Sequence, residues 1–343
     1  MKREELFFER PDSLQATAPP EARGLARDEV RLMVSTAAGH EHTLFRDLPR
    51  FLDPGDLLVV NRSATLAASL RAKGPAGAFL LNLATDLGRG LWLAEPRWSE
   101  SRPGPLPLAP GAVAQAIDVR VHFVTPYPGL PRLWFVRLDG DARAAMACCG
   151  RPIRYAYLDR NYALAAYQTL FAAVPGSAEM PSAGRPFTPR VVDALRGRGV
   201  ELAGVVLHTG VSSLEVEADV VEEHVLSPEP FCVPAGTARA VNAAREAGRR
   251  VVAVGTTVVR ALESAWDGER VRPSEGMTRI YVHPGRPVHT VDGLLTGFHD
   301  PLASHLAMLY AVAGAGRVRS AYAEAVREGY LWHEFGDSHL LLR

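Results

Sequence analysis

Lysine is almost missing from this chain of 343 residues. It occurs only at Lys2 and Lys73, so nearly all the positive charge is arginine. Schiff-base chemistry and a P-loop each need a placed lysine, and both are largely excluded. Cysteine is equally sparse: Cys148, Cys149 and Cys232 form no C-x-x-C pair. Neither a zinc knuckle nor a disulfide framework is supported, no metal site is expected, and a reducing cytoplasm fits. Charge of one sign is not in excess, because 38 basic and 38 acidic residues cancel. That argues against a strongly basic nucleic-acid scaffold and leaves room for a local arginine patch. No apolar run is long enough to cross a membrane, and residues 1–10 lack the apolar core of a signal peptide. What is present is an ordinary globular composition, 47% hydrophobic and 22% charged, with length for two domains.

The most informative stretch is residues 251–266. Four apolar residues and Gly255 read as a buried parallel strand ending in a tight turn. Val258, Val259, Leu262 and Trp266 then fall on one face of a helix. Between them, Gly255 permits a sharp turn and Thr256 or Thr257 can cap the helix. A strand, a turn and a helix N-terminus with free N–H groups and two hydroxyls suit a carboxylate or a ribose. The same residues also fit a capped turn with no ligand.

Taken in order, residues 11–29 read as an extended arm and 30–34 as a strand. Residues 45–52 have helical spacing, and 57–60 form a short buried strand closed by Asn61. From 66 to 150 strand-like runs recur at 78–84, 90–95, 116–124 and 133–138. Ile117, Val119, Val121 and Phe123 alternate with polar residues, as in a half-exposed antiparallel strand. This predicts a small β-barrel or sandwich inserted into an α/β domain; the alternative is that these strands extend the main sheet. From 155 onward helices alternate with strands, with strands expected at 200–207, 278–282 and 294–298. Thr188-Pro189 reads as an N-cap followed by proline at the first helical position. Such alternation implies a mainly parallel sheet, open or closed, with ligands at the C-terminal strand ends. There sit His208 and Thr209, Thr256 and Thr257, and His299 and Asp300.

A resemblance rests on an ordered set of short motifs. They include Pro54-Gly-Asp-Leu-Leu-Val-Val-Asn61, Tyr167-Gln-Thr169, Pro181-Ser-Ala-Gly184, Phe187-Thr188, Leu207-His208, Ala253-Val-Gly-Thr-Thr257, Val259-Arg260, Phe298-His299 and Phe335-Gly-Asp337. The chain resembles, over almost its whole length, the S-adenosylmethionine:tRNA ribosyltransferase-isomerase family of queuosine biosynthesis. The resemblance implies a large α/β-barrel-like domain, residues 1–65 and 151–343, carrying the site, with a smaller all-β barrel inserted at 66–150. It also implies the reaction: the ribosyl part of S-adenosylmethionine moves to a 7-aminomethyl-7-deazaguanine in tRNA and is rebuilt as an epoxycyclopentane. S-adenosylmethionine is then the co-substrate and tRNA the partner. The candidate catalytic residues are His208, His299 and Asp300. The candidate S-adenosylmethionine contacts are Pro181, Ser182, Ala183, Gly184, Thr188, Gly255, Thr256, Thr257, Arg260 and Phe298.

The departures from the family pattern predict a divergent paralogue. Its Pro-Thr-Ala-Gly-Leu-His-Phe-Thr motif stands here as Pro181-Ser-Ala-Gly-Arg-Pro-Phe-Thr188, so Pro186 replaces a histidine and Arg185 is new. The second glycine after the His-x-Gly motif is Ser212. Asp300 is added beside His299, where contact would raise the imidazole pKa and bias it toward proton donation to a departing adenine. Arg185 is expected to offer an ionic contact to the acceptor. These changes leave three readings open: the family reaction, an S-adenosylmethionine-using transferase or lyase acting on a small molecule, and a non-catalytic nucleoside- or RNA-binding protein.

Overall fold

The computed structural model describes residues 1–211 and 215–343, so Ser212 lies outside the described residues. Along the chain run β1 (Arg31–Thr36), β2 (Gly39–Leu44), β3 (Leu57–Asn61) and β4 (Ser63–Thr65). Next come β5 (Ser69–Gly74), β6 (Gly77–Gly88), β7 (Leu91–Arg97), β8 (Val113–Ala116), β9 (Val119–Tyr127) and β10 (Leu130–Asp139). Helix α1 (Ala142–Cys149), β11 (Val174–Ser177), α2 (Pro189–Gly197), β12 (Glu201–Leu207) and β13 (Glu229–Val233) come after the barrel strands. The chain then forms α3 (Ala235–Glu246), β14 (Val251–Val254), α4 (Thr256–Ser264), β15 (Ser274–Thr278) and β16 (Gly293–Gly297). It closes with α5 (Ser304–Ala313), α6 (Ala315–Arg327) and β17 (Ser338–Leu342).

Nine strands make one sheet in the order β15-β13-β12-β3-β14-β16-β17-β1-β2. Its centre, β12-β3-β14-β16, is parallel, as the alternation predicts. The flanks are not. Antiparallel β13 and β15 add to one side, and β17 lies antiparallel to β16 and parallel to β1. Helices cover both faces, which is why the central strands are apolar without alternation. Leu58, Val60, Val252, Val254 and Leu295 pack toward α2 and the 3-10 helix Phe45–Phe51. Leu57, Val59, Val251, Ala253 and Leu294 pack toward α3–α6. Val258, Val259 and Leu262 of α4 are fully buried there, each contributing about 1.5–3 kcal/mol.

Strands β5–β10 close into a six-stranded antiparallel barrel with a core of its own, to which only Ala178 and Val211 are added from beyond residue 153 among its buried members. Other expectations need correction. Residues 11–29 are not an extended arm: three short 3-10 turns bury Asp28, which accepts from Arg190 and Thr188. The strand expected at 278–282 is displaced to Ser274–Thr278. After Thr278 the chain turns, because the Thr278 hydroxyl accepts from the Ile280 amide and the Ile280 carbonyl accepts from Arg260. The 45–52 segment is 3-10 rather than α, with Pro49 inside it removing a backbone donor.

Candidate active site

Four parallel strands end at one edge of the sheet, and the residues just beyond three of them face a common space. After β12 comes Thr209, after β14 the Gly255-Thr-Thr turn, and after β16 Phe298-His-Asp300. The antiparallel strand β17 begins at this same edge, since Ser338 lies opposite Gly297. Residues 333–334 are therefore delivered to the strand ends from the far end of the chain. Tyr155, Tyr157 and Glu179 from the connections and Arg97 from the barrel complete a cavity of about 630 Å³. That volume is in the range of small-molecule sites.

Gly255 has φ 99°, a left-handed value that a side chain would strain, and an added Cβ would also stand 3.4 Å from Ala183. The turn it permits starts α4 at Thr256. Neither threonine caps the helix, because the N-cap position falls on Gly255, which has no side chain. Both instead line the cavity with Gly255 at the positive end of the helix. Asn61 fixes the turn. Its Nδ2 donates to the Leu207 carbonyl at 2.8 Å and to Thr257 Oγ1 at 3.1 Å, tying β3, β12 and α4 together. One turn along α4, Arg260 is buried. Its Nη1 pairs with buried Glu229 and its Nε donates to the Ile280 carbonyl. Among the described residues its Nη2 has no partner, and neither has the hydroxyl of Thr209, which also lines the cavity. Two buried donors without partners in one cavity are what a site for a polar ligand presents.

The imidazole of His299 lines the cavity, with Nε2 2.9 Å from Thr296 Oγ1 and the ring stacked on His305 at 4.6 Å. Its expected partnership with Asp300 is absent. The Asp300 carboxylate instead faces His333 Nε2 at 2.5 Å and Arg10 Nη2 at 3.2 Å. Burial, followed by the neighbouring His305, His333 and His339, pushes the His299 imidazole well below its ordinary range. The direction is the reverse of the sequence-based expectation, so His299 is neutral at pH 7. Burial likewise lowers His305, to about 4, and raises the carboxyl of Glu334 to about 7.

The remaining expected residues divide. Pro181, Ser182, Ala183 and Phe298 line the cavity; Gly184, Thr188 and His208 do not. Gly184 packs on Thr169 and Phe171, and the Thr188 hydroxyl donates to Asp28 at 2.5 Å rather than capping α2. His208 lies against Gly176, with Nδ1 2.7 Å from Ser63 Oγ, and burial lowers its pKa. Arg185 also turns away from the cavity: it pairs with Glu21 at 2.9 Å and covers the Phe335 ring at 4.8 Å. Pro186 is buried outside the cavity. Tyr157, Glu179, His305, His333 and Glu334 were not legible as site residues. The one available signal was a His–Glu pair directly before Phe335-Gly-Asp337. His333 stacks on Tyr157 at 4.4 Å and holds φ 72°, a left-handed value uncommon outside glycine. Among the described residues, no group of three or more His, Cys, Asp or Glu is arranged to hold a metal, and no helix is long and apolar enough to cross a membrane.

Comparison with known proteins gives a consistent result. The family described as queuosine biosynthesis protein matches residues 3–341. A Rubrobacter xylanophilus protein named S-adenosylmethionine:tRNA ribosyltransferase-isomerase is 40% identical over 347 residues, covering 100% of this chain and 98% of that one. A Thermus thermophilus protein of the same name is 38% identical over 330 residues, covering 92% and 93%. The crystal structure of an S-adenosylmethionine tRNA ribosyltransferase from Thermotoga maritima is similar, with TM-score 0.55 and 29% identity, over 98% of this chain and 100% of that one. With its length matched end to end and its strand ends arranged around one polar cavity, this chain belongs to the queuosine biosynthesis protein family.

Proposed function

We propose that this enzyme transfers the ribosyl moiety of S-adenosylmethionine to a 7-aminomethyl-7-deazaguanine in tRNA and isomerises it to the epoxycyclopentane. The carrying observation is that the α4 N-terminus, Arg260 and Thr209 line one cavity of about 630 Å³, while Arg260 Nη2 and the Thr209 hydroxyl have no partner among the described residues. In this reading Gly255, Thr256, Thr257 and Arg260 hold the polar groups of S-adenosylmethionine, and 181–183 with Phe298 flank it. His299, neutral at pH 7, accepts a proton or a hydrogen bond. Glu334, which keeps its proton up to about pH 7, supplies one to the departing adenine. His208 and Thr188 lie outside the cavity and hold neighbouring elements, through Ser63 and Asp28.

One observation favours the tRNA acceptor over a small-molecule one. The charges that departed from the family pattern are absorbed by the protein itself, Arg185 by Glu21 and Asp300 by Arg10 and His333. We further propose that residues 66–150 form a separable domain, a reading supported by the barrel's own core.

The experiment is incubation with S-adenosylmethionine, with and without an anticodon stem–loop bearing the deazaguanine, followed by mass spectrometry. The expected result is release of adenine and methionine together with the epoxycyclopentane nucleoside. Adenine release without RNA modification identifies a small-molecule transferase or lyase. Binding with no turnover identifies a non-catalytic protein. His299→Ala and Glu334→Gln should each slow adenine release about 10²–10⁴-fold.

A further inference from the structure

The outer face of the barrel carries a second hollow, set by strand register. Ser69, Asn82 and Glu95 pair across β5, β6 and β7, and Arg71, Leu80 and Arg97 form the next row. Residues two apart share a face of a strand. This face is the outer one, because the intervening Leu70 and Leu81 lie in the barrel core. Residues 151–161 fold back over it, and Ser69 and Arg151 exchange backbone hydrogen bonds of 2.9 and 3.0 Å. Between them lies a hollow of about 200 Å³ lined by Arg71, Arg97, Arg151 and Arg154. Arg97 and Glu100 line both this hollow and the main cavity, so the two adjoin.

The arginines are only partly satisfied. Arg97 is held by Glu95 at 3.3 Å and by the carbonyls of Ser99 and Glu100. Arg154 donates through Nη2 to the Leu158 carbonyl, while its buried Nε has no partner among the described residues. Arg71 and Arg151 are exposed and make no ion pair among the described residues. Glu100 is the one acidic residue lining the hollow, so its balance is positive. Guanidinium forks match phosphate oxygens, and contacts of this kind position a nucleic acid while the base is read elsewhere. An enzyme acting on a base must also draw it out of its stack, leaving the flanking backbone at the mouth of the site. The hollow shares Arg97 and Glu100 with the main cavity, and its Arg71 and Arg151 are exposed, which suits a chain that continues past it.

We propose that this arginine hollow binds backbone phosphodiesters of the RNA acceptor beside the base held in the main cavity. The proposal rests on the RNA reading given above. The test is fluorescence anisotropy with a labelled anticodon stem–loop, and calorimetry with S-adenosylmethionine, on the full-length wild type and Arg71→Ala with Arg151→Ala. Both side chains are exposed, so the variant should fold. RNA affinity should fall at least about tenfold, and the slope of log affinity against log salt should drop by about 2. S-adenosylmethionine affinity should not change. Unchanged RNA affinity and slope would overturn the site while leaving the RNA reading intact. So would an equal loss in a control lacking exposed Arg239 and Arg286, or a loss confined to S-adenosylmethionine, which would assign the hollow to the methionine carboxylate. Failure of the wild type itself to bind the stem–loop would sink the RNA reading and the proposal together.

Discussion

Arg260 is predicted to serve scaffold and ligand at once, and the two roles can be separated. Its Nη1 neutralises Glu229, a side chain 1% exposed, whose other oxygen accepts from the Gly210 amide at 2.7 Å. Arg260→Met leaves that carboxylate buried and unpaired. Breaking a buried pair from one side costs about 3–5 kcal/mol, which in a chain of this size lowers Tm by roughly 4–7 °C. Adding Glu229→Gln removes the stranded charge and keeps an oxygen for the Gly210 amide, so most of the lost Tm should return. Ligand affinity should not return, because Nη2 is still missing. A hydrogen bond to a charged donor is worth about 1.5–3 kcal/mol, or roughly 10–150-fold in S-adenosylmethionine affinity. Differential scanning calorimetry and isothermal titration measure the two effects on the same samples. A double variant as unstable as the single one, or one whose affinity recovers along with Tm, would refute this division.

The turn itself is tested by Thr256→Val with Thr257→Val, which should weaken S-adenosylmethionine binding by roughly 5–100-fold, with a modest loss of Tm from the missing Asn61–Thr257 bond; unchanged calorimetric affinity in the folded variant would remove these hydroxyls from the site. Glu334 makes a pH prediction. Its carboxyl keeps its proton to about 7 in the folded chain but ionises near 4.5 when unfolded, so its contribution to stability falls as pH rises between those values. The ceiling is roughly 3 kcal/mol, reduced because the carboxyl borders an open cavity; Glu334→Gln should therefore gain Tm relative to wild type at pH 8 and not at pH 4, and parallel Tm curves would contradict the assignment. Replacing 66–150 by a short linker should leave an α/β domain with cooperative unfolding, and a chain that never folds would show that the barrel is not separable.

The sequence alone carried the elements whose cause is local. The apolar run 251–254, a glycine that only a left-handed turn requires, and the helical spacing after it announced β14, the turn and α4. Period-two alternation at 117–123 announced a half-exposed antiparallel strand of a barrel or sandwich, because a strand with one wet face must alternate; the closure into a barrel is a tertiary fact. Gly255, Thr256, Thr257 and Arg260 were legible for the same reason: they sit on one continuous strand-turn-helix. Tertiary structure decided what depends on partners distant in sequence. Nothing near 338–342 reveals that this strand inserts between β16 and β1, yet that insertion brings His333 and Glu334 to the cavity and pushes the Glu334 carboxyl to about 7. The proximity of Asp300 to His299 in sequence suggested a pair. The fold instead turns Asp300 toward His333 and Arg10 and leaves His299 to burial, which reverses its pKa shift. Adjacent positions in a chain need not face each other, and the charge state of a buried group is set by whatever the fold brings against it.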